Sequence, residues 1–402
     1  MTIDPRLPAL LEGLVNTLVQ ERVLRPDRPQ GDWWMQGIRA VPRHAFLPAR
    51  AWVPPHDGQG GHDIDRNQNP HDWWNAAYRD SLVVTRREGD DVADVSSPPT
   101  CVLSRPSTVF RLLRLLDPMP HDRVMEMGTG TGYTAALLAW LIGGDQVTTI
   151  EIDPGLAAVA RQNLQRTGFN PITLVRDGSL GSGVRERFSR VHITCGVPSV
   201  PRRLLEQTNP GGVIVLPWMP PHGQRGEMLR LTVTQDQHAI GHFHGATTFI
   251  PMRTQIQANR PASPAGSLEE GEGDVSYPRL PPSTVHEAIP HGFGIWLTAQ
   301  APHVAITSTG WEDRDGSRRW VMRLRSTRDD SGAVVVADPL GTLDEGKREV
   351  RVTQSGERLW DDLEAAYMSW QEAQRPGRDR LGLSITSTHE TIWLDEPGRS
   401  VA

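Results

Sequence analysis

The residues best suited to chemistry in this chain stand in one short run, Val124-Met125-Glu126-Met127-Gly128-Thr129-Gly130-Thr131-Gly132-Tyr133. The first four predict a strand, and the three alternating glycines predict a turn that leads from it into a helix. Glycine there permits positive φ angles and lets the backbone come close to a ligand. Dinucleotide, flavin and S-adenosylmethionine sites all use such a turn, so three carboxylates must discriminate among them. Glu126 stands just before the turn, where a strand-end carboxylate receives a donor from an amino-acid-like cofactor tail and repels a pyrophosphate. Glu151 closes the following strand, well placed to hold both hydroxyls of a ribose. Asp177 and Gly178 close the next one, where a carboxylate accepts from an adenine amino group. Together they favour a nucleoside cofactor without phosphates, held by Glu126, Gly128, Thr129, Gly130, Thr131, Gly132, Tyr133, Glu151, Ile152, Asp177 and Gly178. Taken alone, Glu126 also fits a carboxylate that caps a helix or stabilises the fold.

Strands and helices alternate around this loop. Residues 123–127, 146–152, 172–175, 190–195 and 212–216 read as short apolar strands, and 104–116, 132–142, 156–167 and 201–207 as helices. In 104–116, Val109, Leu112, Leu113 and Leu116 share one face at helical spacing. The alternation predicts an α/β fold with a mostly parallel central sheet and helices on both faces. Residues 228–235 and 238–248 suit an antiparallel hairpin at the sheet edge. Upstream, Leu7, Leu10, Leu11, Leu14, Leu18 and Val19 mark an amphipathic helix within residues 1–29, and a second helix is expected around 33–41. Residues 56–72 are polar and read as an inserted surface loop; their His56, Asp57, His62, Asp63, Asp65, His71 and Asp72 match no closed metal-ligand spacing, so no metal is expected. Residues 257–282 are a linker by their Pro, Gly, Ser and Glu content, and 283–402 read as a small α+β domain. Its expected strands include 294–298, 304–307, 320–325, 333–337, 349–353, 383–385 and 391–394, and its one clear helix carries Leu359, Leu363, Ala366, Tyr367 and Trp370 on a face.

Composition narrows the class. The chain has 402 residues, a net charge of −6, two cysteines and no apolar run approaching the about 20 residues of a membrane span. That excludes a disulfide-stapled miniprotein and a membrane-spanning helix, and leaves room for two or three domains. Without a Lys/Arg run there is no concentrated basic face for nucleic acid. The N-terminus lacks the basic, apolar and small-residue series of a secretion signal, so a cytoplasmic protein is expected. Cys101 and Cys195 are then reduced thiols, and a monomer is expected.

Further segments carry a resemblance. Ala40-Val41-Pro42-Arg43-His44-Ala45-Phe46-Leu47-Pro48, Ala77-Tyr78-Arg79-Asp80, Ser104-Arg105-Pro106, Arg-Val-His-Ile-Thr-Cys-Gly-Val-Pro at 190–198, Pro210-Gly211-Gly212 with Leu216-Pro217, and Phe249-Ile250-Pro251-Met252 resemble the motif set of the protein-L-isoaspartate O-methyltransferases. Three positions depart from that pattern: Arg105 stands in place of glutamine, and Cys195-Gly196 in place of two alanines. The resemblance implies a Rossmann-like class I methyltransferase over 30–256, S-adenosylmethionine as cofactor, and an acidic peptide or protein substrate containing aspartate or isoaspartate. Compact repair members end near Met252, whereas this chain runs on to Ala402, and its tail at 380–397 resembles extended actinobacterial relatives. Those are similar to methyltransferases that tailor lanthipeptides, lasso peptides and graspetides. The extra length therefore favours a tailoring enzyme, whose methyl ester closes to an aspartimide, over a general repair enzyme; a catalytically silent peptide-binding relative is a further alternative. On either catalytic reading the carboxylate is already ionised and no strong base is required. Ser104 is the expected catalytic residue, its hydroxyl aligning one carboxylate oxygen, although it also suits the N-cap of the helix near Pro106. Arg105, Pro106, Thr194 and Tyr78 are expected on the substrate side, with Arg105 either clamping a second carboxylate or simply solvated. Trp33, Trp34, Trp73 and Trp74 either line a peptide groove or pack the core.

Overall fold

The run of small and apolar residues after Tyr133 and the apolar strands on either side of it form a buried layer in a computed structural model that describes residues 4–27, 29–55, 60–89, 91–220, 225–258, 273–314, 317–337 and 350–401. Two compact units emerge: Met1–Cys195 with Pro201–Leu216, and Gly196–Val200 with Pro217–Ala402.

The first unit opens with α1 (Leu7–Gln20) and α2 (Pro29–Ala40), then β1 (Arg50–Val53), β2 (His62–Asp65), α3 (Pro70–Tyr78), β3 (Val83–Arg87) and β4 (Pro99–Leu103). The four strands pair antiparallel in the order β2-β1-β3-β4. This sheet was not expected. It corrects the loop assigned to 56–72, because His62–Asp65 pairs with Arg50–Val53 and Asn69 caps α3 through Asp72 N; residues 56–59 lie outside the described ones. Next come α4 (Pro106–Leu116), β5 (Val124–Met127), α5 (Tyr133–Ile142), β6 (Val147–Glu151), α6 (Pro154–Thr167), β7 (Ile172–Val175), β8 (Phe188–Ile193), α7 (Arg202–Glu206) and β9 (Thr208–Trp218). Parallel ladders set the order β9-β8-β5-β6-β7. The chain leaves β5 for β6 on one side and returns to β8 on the other, so the carboxyl ends of β5 and β8 flank the switch point where open α/β sheets bind ligands. Every residue of β5 and β6 is buried, as a central parallel strand requires. The helix expected from 104 begins at Pro106 and leaves Ser104 outside it.

The second unit holds β10 (Gly226–Val233), β11 (Ala239–Thr247), α8 (Arg253–Ala258), β12 (Asp274–Ser276), α9 (Pro282–Ala288), α10 (Phe293–Gln300), β13 (Val304–Arg314), β14 (Ser317–Ser326), β15 (Gly332–Ala337), β16 (Val350–Ser355), α11 (Leu359–Glu372), β17 (Leu381–Ile385) and β18 (Glu390–Leu394). The hairpin β10-β11 continues through β17 to β18, and β12-β16-β15-β14-β13 form a separate antiparallel sheet. Two expectations are corrected. Residues 294–298 are helical, within α10, and the division at 256 fails because Ala239–Ile385 pairing binds the hairpin to the C-terminal strands. Most of the expected linker, 259–272, lies outside the described residues. Among the described residues no helix is long and apolar enough to cross a membrane, and no three His, Cys, Asp or Glu side chains gather as metal ligands.

Candidate active site

The loop after β5 is shaped to exclude side chains at its three glycines. Gly128, Gly130 and Gly132 adopt φ of +97°, +55° and +96°, the left-handed region in which a side chain is strained. A Cβ at Gly128 would lie 2.5 Å from Thr194 Oγ1, one at Gly130 3.3 Å from Cys101 Sγ, and one at Gly132 3.2 Å from Leu164 Cγ. Asn163 of α6 donates to Thr131 O at 3.0 Å, fixing the far end of the loop. Thr194, directly after β8, lies 3.0 Å from Met127 O and donates to Gly128 O at 2.5 Å. Its hydroxyl proton is committed to the loop backbone, which corrects its expected role as a substrate ligand.

Two carboxylates stand beside the loop. Glu151 accepts from Gly130 N at 2.9 Å through Oε2 and from Asp153 N at 3.1 Å through Oε1. A carboxylate oriented by backbone donors at the carboxyl end of a strand is what a ribose diol requires. Asp177 accepts from Ser179 N at 2.9 Å, and the adjacent Gly178 is buried where a Cβ would overlap Met127 Sδ. Ile152, 38% exposed, offers an apolar surface next to Glu151. Cys195 shares this electrostatic environment: burial, reinforced by the Glu151 and Asp177 carboxylates, pushes its thiol up to about 12. The thiol is therefore neutral at pH 7 and a poor nucleophile. A loop whose three glycines leave no room for side chains at those positions and two acidic strand ends fit a nucleoside cofactor lacking phosphates.

Two expected cofactor residues face elsewhere. Glu126 is wholly buried; its register partners Thr149 and His192 hold it between β6 and β8, so its carboxylate does not reach a ligand surface. Tyr133 starts α5 and is buried against Phe46, ring centroids 5.6 Å apart. On the substrate side, Tyr78 is buried too, stacked on Trp74 with its hydroxyl 2.7 Å from His44 Nδ1. Burial and the nearby Arg166 and Arg66 push His44 down to about 4, so it is neutral. Trp34, Trp73 and Trp74 pack the core rather than a groove.

Ser104 lies in the short segment joining β4 to α4, half-buried, and its hydroxyl makes no hydrogen bond among the described residues. It is not the helix cap: Arg105 occupies that position without a capping bond, Pro106 opens the helix, and Asp80 Oδ1 accepts from Ser107 N at 2.7 Å. Arg105 is exposed and unpaired among the described residues. Since Cys101 on β4 abuts Gly130, the strand that delivers Ser104 runs against the cofactor loop. The segment is anchored by Arg43, 1% exposed, which donates to Ala77 O at 2.6 Å, Ser104 O at 3.0 Å and Ser81 O at 3.1 Å. Burial pushes this guanidinium down to about 10, still cationic at neutral pH. Arg43 and Asp80 stood in recognisable motifs, but their roles as anchor and remote cap depend on contacts across the fold. Arg43→Met should cost about 3 kcal/mol or more, by orphaning several buried carbonyls at once. Chemical denaturation measures it; a loss below about 1 kcal/mol, the worth of one ordinary hydrogen bond, removes the anchor role.

A family model described as Protein-L-isoaspartate(D-aspartate) O-methyltransferase (PCMT) matches residues 62–257. The protein-L-isoaspartate O-methyltransferase of Methanopyrus kandleri is 39% identical over 153 residues, 37% of this chain and 67% of that relative. Its counterpart from Methanospirillum hungatei is 30% identical over 221 residues, 54% of this chain and 83% of the relative. A solved protein-L-isoaspartate O-methyltransferase shares the fold over 96% of this chain and 100% of its own, with a TM-score of 0.54 and 18% identity.

Proposed function

The chain belongs to the protein-L-isoaspartate O-methyltransferase family, and from that premise we propose that it esterifies the side-chain carboxylate of an isoaspartyl or aspartyl residue in a peptide or protein. The cofactor is S-adenosylmethionine, which supplies an electrophilic methyl group when bound. Glu151, Asp177 and the Gly128–Gly132 backbone are the residues that would hold it. The observation that carries the reading is an unengaged Ser104 hydroxyl on a segment packed against the glycine loop at Gly130.

A side-chain carboxyl has an ordinary pKa of about 4, so the substrate oxygen is nucleophilic without a base. The protein's task is to align it and strip its water. Ser104 donates its hydroxyl proton to one carboxylate oxygen and leaves the other free to attack. The backbone carbonyl of Ser104 is pinned by Arg43, so the hydroxyl is presented from a fixed backbone. The neutral Cys195 thiol does not compete for the methyl group. After esterification the next backbone amide nitrogen of the substrate attacks the ester carbonyl and expels methanol, closing a succinimide.

A second reading, tailoring of a ribosomally made acidic peptide, is supported by the unpaired Arg105 beside Ser104, a guanidinium suited to a second substrate carboxylate. The chain length beyond Met252 no longer favours it, because the fold likeness to a protein-L-isoaspartate O-methyltransferase extends over nearly the whole chain. Incubation with S-adenosylmethionine and either a generic isoaspartyl peptide or a constrained, multiply acidic one separates the readings. Intact mass should show one methyl gained and methanol then lost. Turnover of the generic peptide supports the broad reading, and turnover of the constrained peptide alone supports tailoring. With neither methylated at high peptide concentration, the proposed activity is wrong.

A further inference from the structure

The cofactor loop has two side chains of its own, Thr129 and Thr131, set among three glycines whose backbone is intrinsically permissive. Something must select one conformation. Thr149 Oγ1 donates to Glu126 Oε2 at 2.7 Å, and Thr129 Oγ1 lies 2.6 Å from Thr149 Oγ1. A hydroxyl has a single proton, so Thr149, already donating to Glu126, must accept from Thr129. The result is a directional chain, Thr129 to Thr149 to Glu126. Its members are 5%, 0% and 0% exposed, so water does not compete. On the far side His192 Nδ1 faces Glu126 Oε1 at 3.7 Å, and neither atom has a hydrogen-bond partner among the described residues.

We propose that Thr149 is a positioning residue for the cofactor: with Glu126 and His192 behind it, it fixes the glycine loop from below by holding Thr129. Thr149 and Glu151 lie two apart on β6 and so point to the same face. That one strand therefore holds the loop twice, by the Thr129 hydroxyl and by the Gly130 N–H that Glu151 accepts. Breaking the Thr129 tie loosens Gly130 and with it Glu151, and weakens cofactor binding, although Thr149 itself touches no ligand. Glu126, the acidic residue of the loop motif, acts here through two hydroxyls.

The test is calorimetric binding of S-adenosylhomocysteine to the full chain, which depends on the cofactor assignment and not on which carboxylate is methylated. Thr149→Val and Thr129→Val should each weaken binding by roughly tenfold, the effect of one buried hydrogen bond, and Thr149→Ser should restore it. The double variant Thr129→Val/Thr149→Val should bind no worse than Thr149→Val, because both changes cut the same chain. Additive losses would mean that Thr129 meets the cofactor directly, and wild-type affinity in Thr129→Val would mean the tie does not set the loop; either result overturns the proposal. Thr129→Val leaves the Thr149–Glu126 bond intact, so the proposal stays testable if Thr149→Val does not fold. Loss of all binding in the unmutated chain would instead count against the cofactor site itself.

Discussion

Glu151→Ala should lower the affinity for S-adenosylhomocysteine by more than about 100-fold while the protein stays folded, because two charge-assisted ribose bonds, each worth roughly 1.5 kcal/mol or more, are lost together. The side chain is almost fully buried, and its two oxygens accept from the backbone N–H groups of Gly130 and Asp153 at the mouth of the loop. Removing it therefore frees the glycine loop as well as the ribose contact. Gly130 at φ +55° has no side chain to keep it in place once the acceptor is gone. Glu151→Gln keeps the shape and acceptor capacity in part, and should fall between wild type and alanine. Calorimetric titration measures the affinity, and the thermal midpoint checks folding. Affinity within threefold of wild type in the alanine variant would show that the diol is held elsewhere.

The parallel core was legible because short apolar strands, several closed by Gly or an acidic residue, alternate with helices of ordinary length. Residues 172–175, for example, are the strand that was expected. Where the reading failed, local pattern was silent. Phe293–Leu297 is buried all round, and an apolar run without polar punctuation has no period to separate helix from strand. His62–Asp65 buries only Ile64, so pairing with β1 rather than its own composition makes it a strand. At the site, residue type and spacing do not give the direction of a side chain. Glu126 and Tyr133 sit at the expected elements, whereas Tyr78 ends a helix and Thr194 follows its strand, and each of the four side chains turns inward to Thr149, to Phe46, to His44 or to loop carbonyls. Spacing alone does not say whether a side chain at a strand end meets the ligand or the neighbouring strands, and Glu126 meets its register partner Thr149. Ser104 keeps its proposed role because its hydroxyl makes no hydrogen bond among the described residues, and Glu151 because it accepts from Gly130 N in the loop.

Replacing Ser104 by alanine should reduce kcat for carboxyl methylation about 30-fold, or roughly 2 kcal/mol, the lower range for loss of one aligned donor in a dry site. The same variant should bind S-adenosylhomocysteine as wild type does and melt at the same temperature. That combination is what separates alignment from scaffolding. A helix cap changed to alanine costs about 1 kcal/mol of stability, but α4 is capped by Asp80 through Ser107 N, and the Ser104 hydroxyl makes no bond among the described residues. Its removal therefore leaves the folded protein without a lost interaction. The loss should appear mainly in kcat, because a hydroxyl that orders the attacking carboxylate acts at the reacting geometry more than on the peptide as a whole. A methylation rate within twofold of wild type, with the isoaspartyl peptide saturating, would transfer the alignment role to another donor. A fall in melting temperature matching the loss of activity would return Ser104 to a structural part.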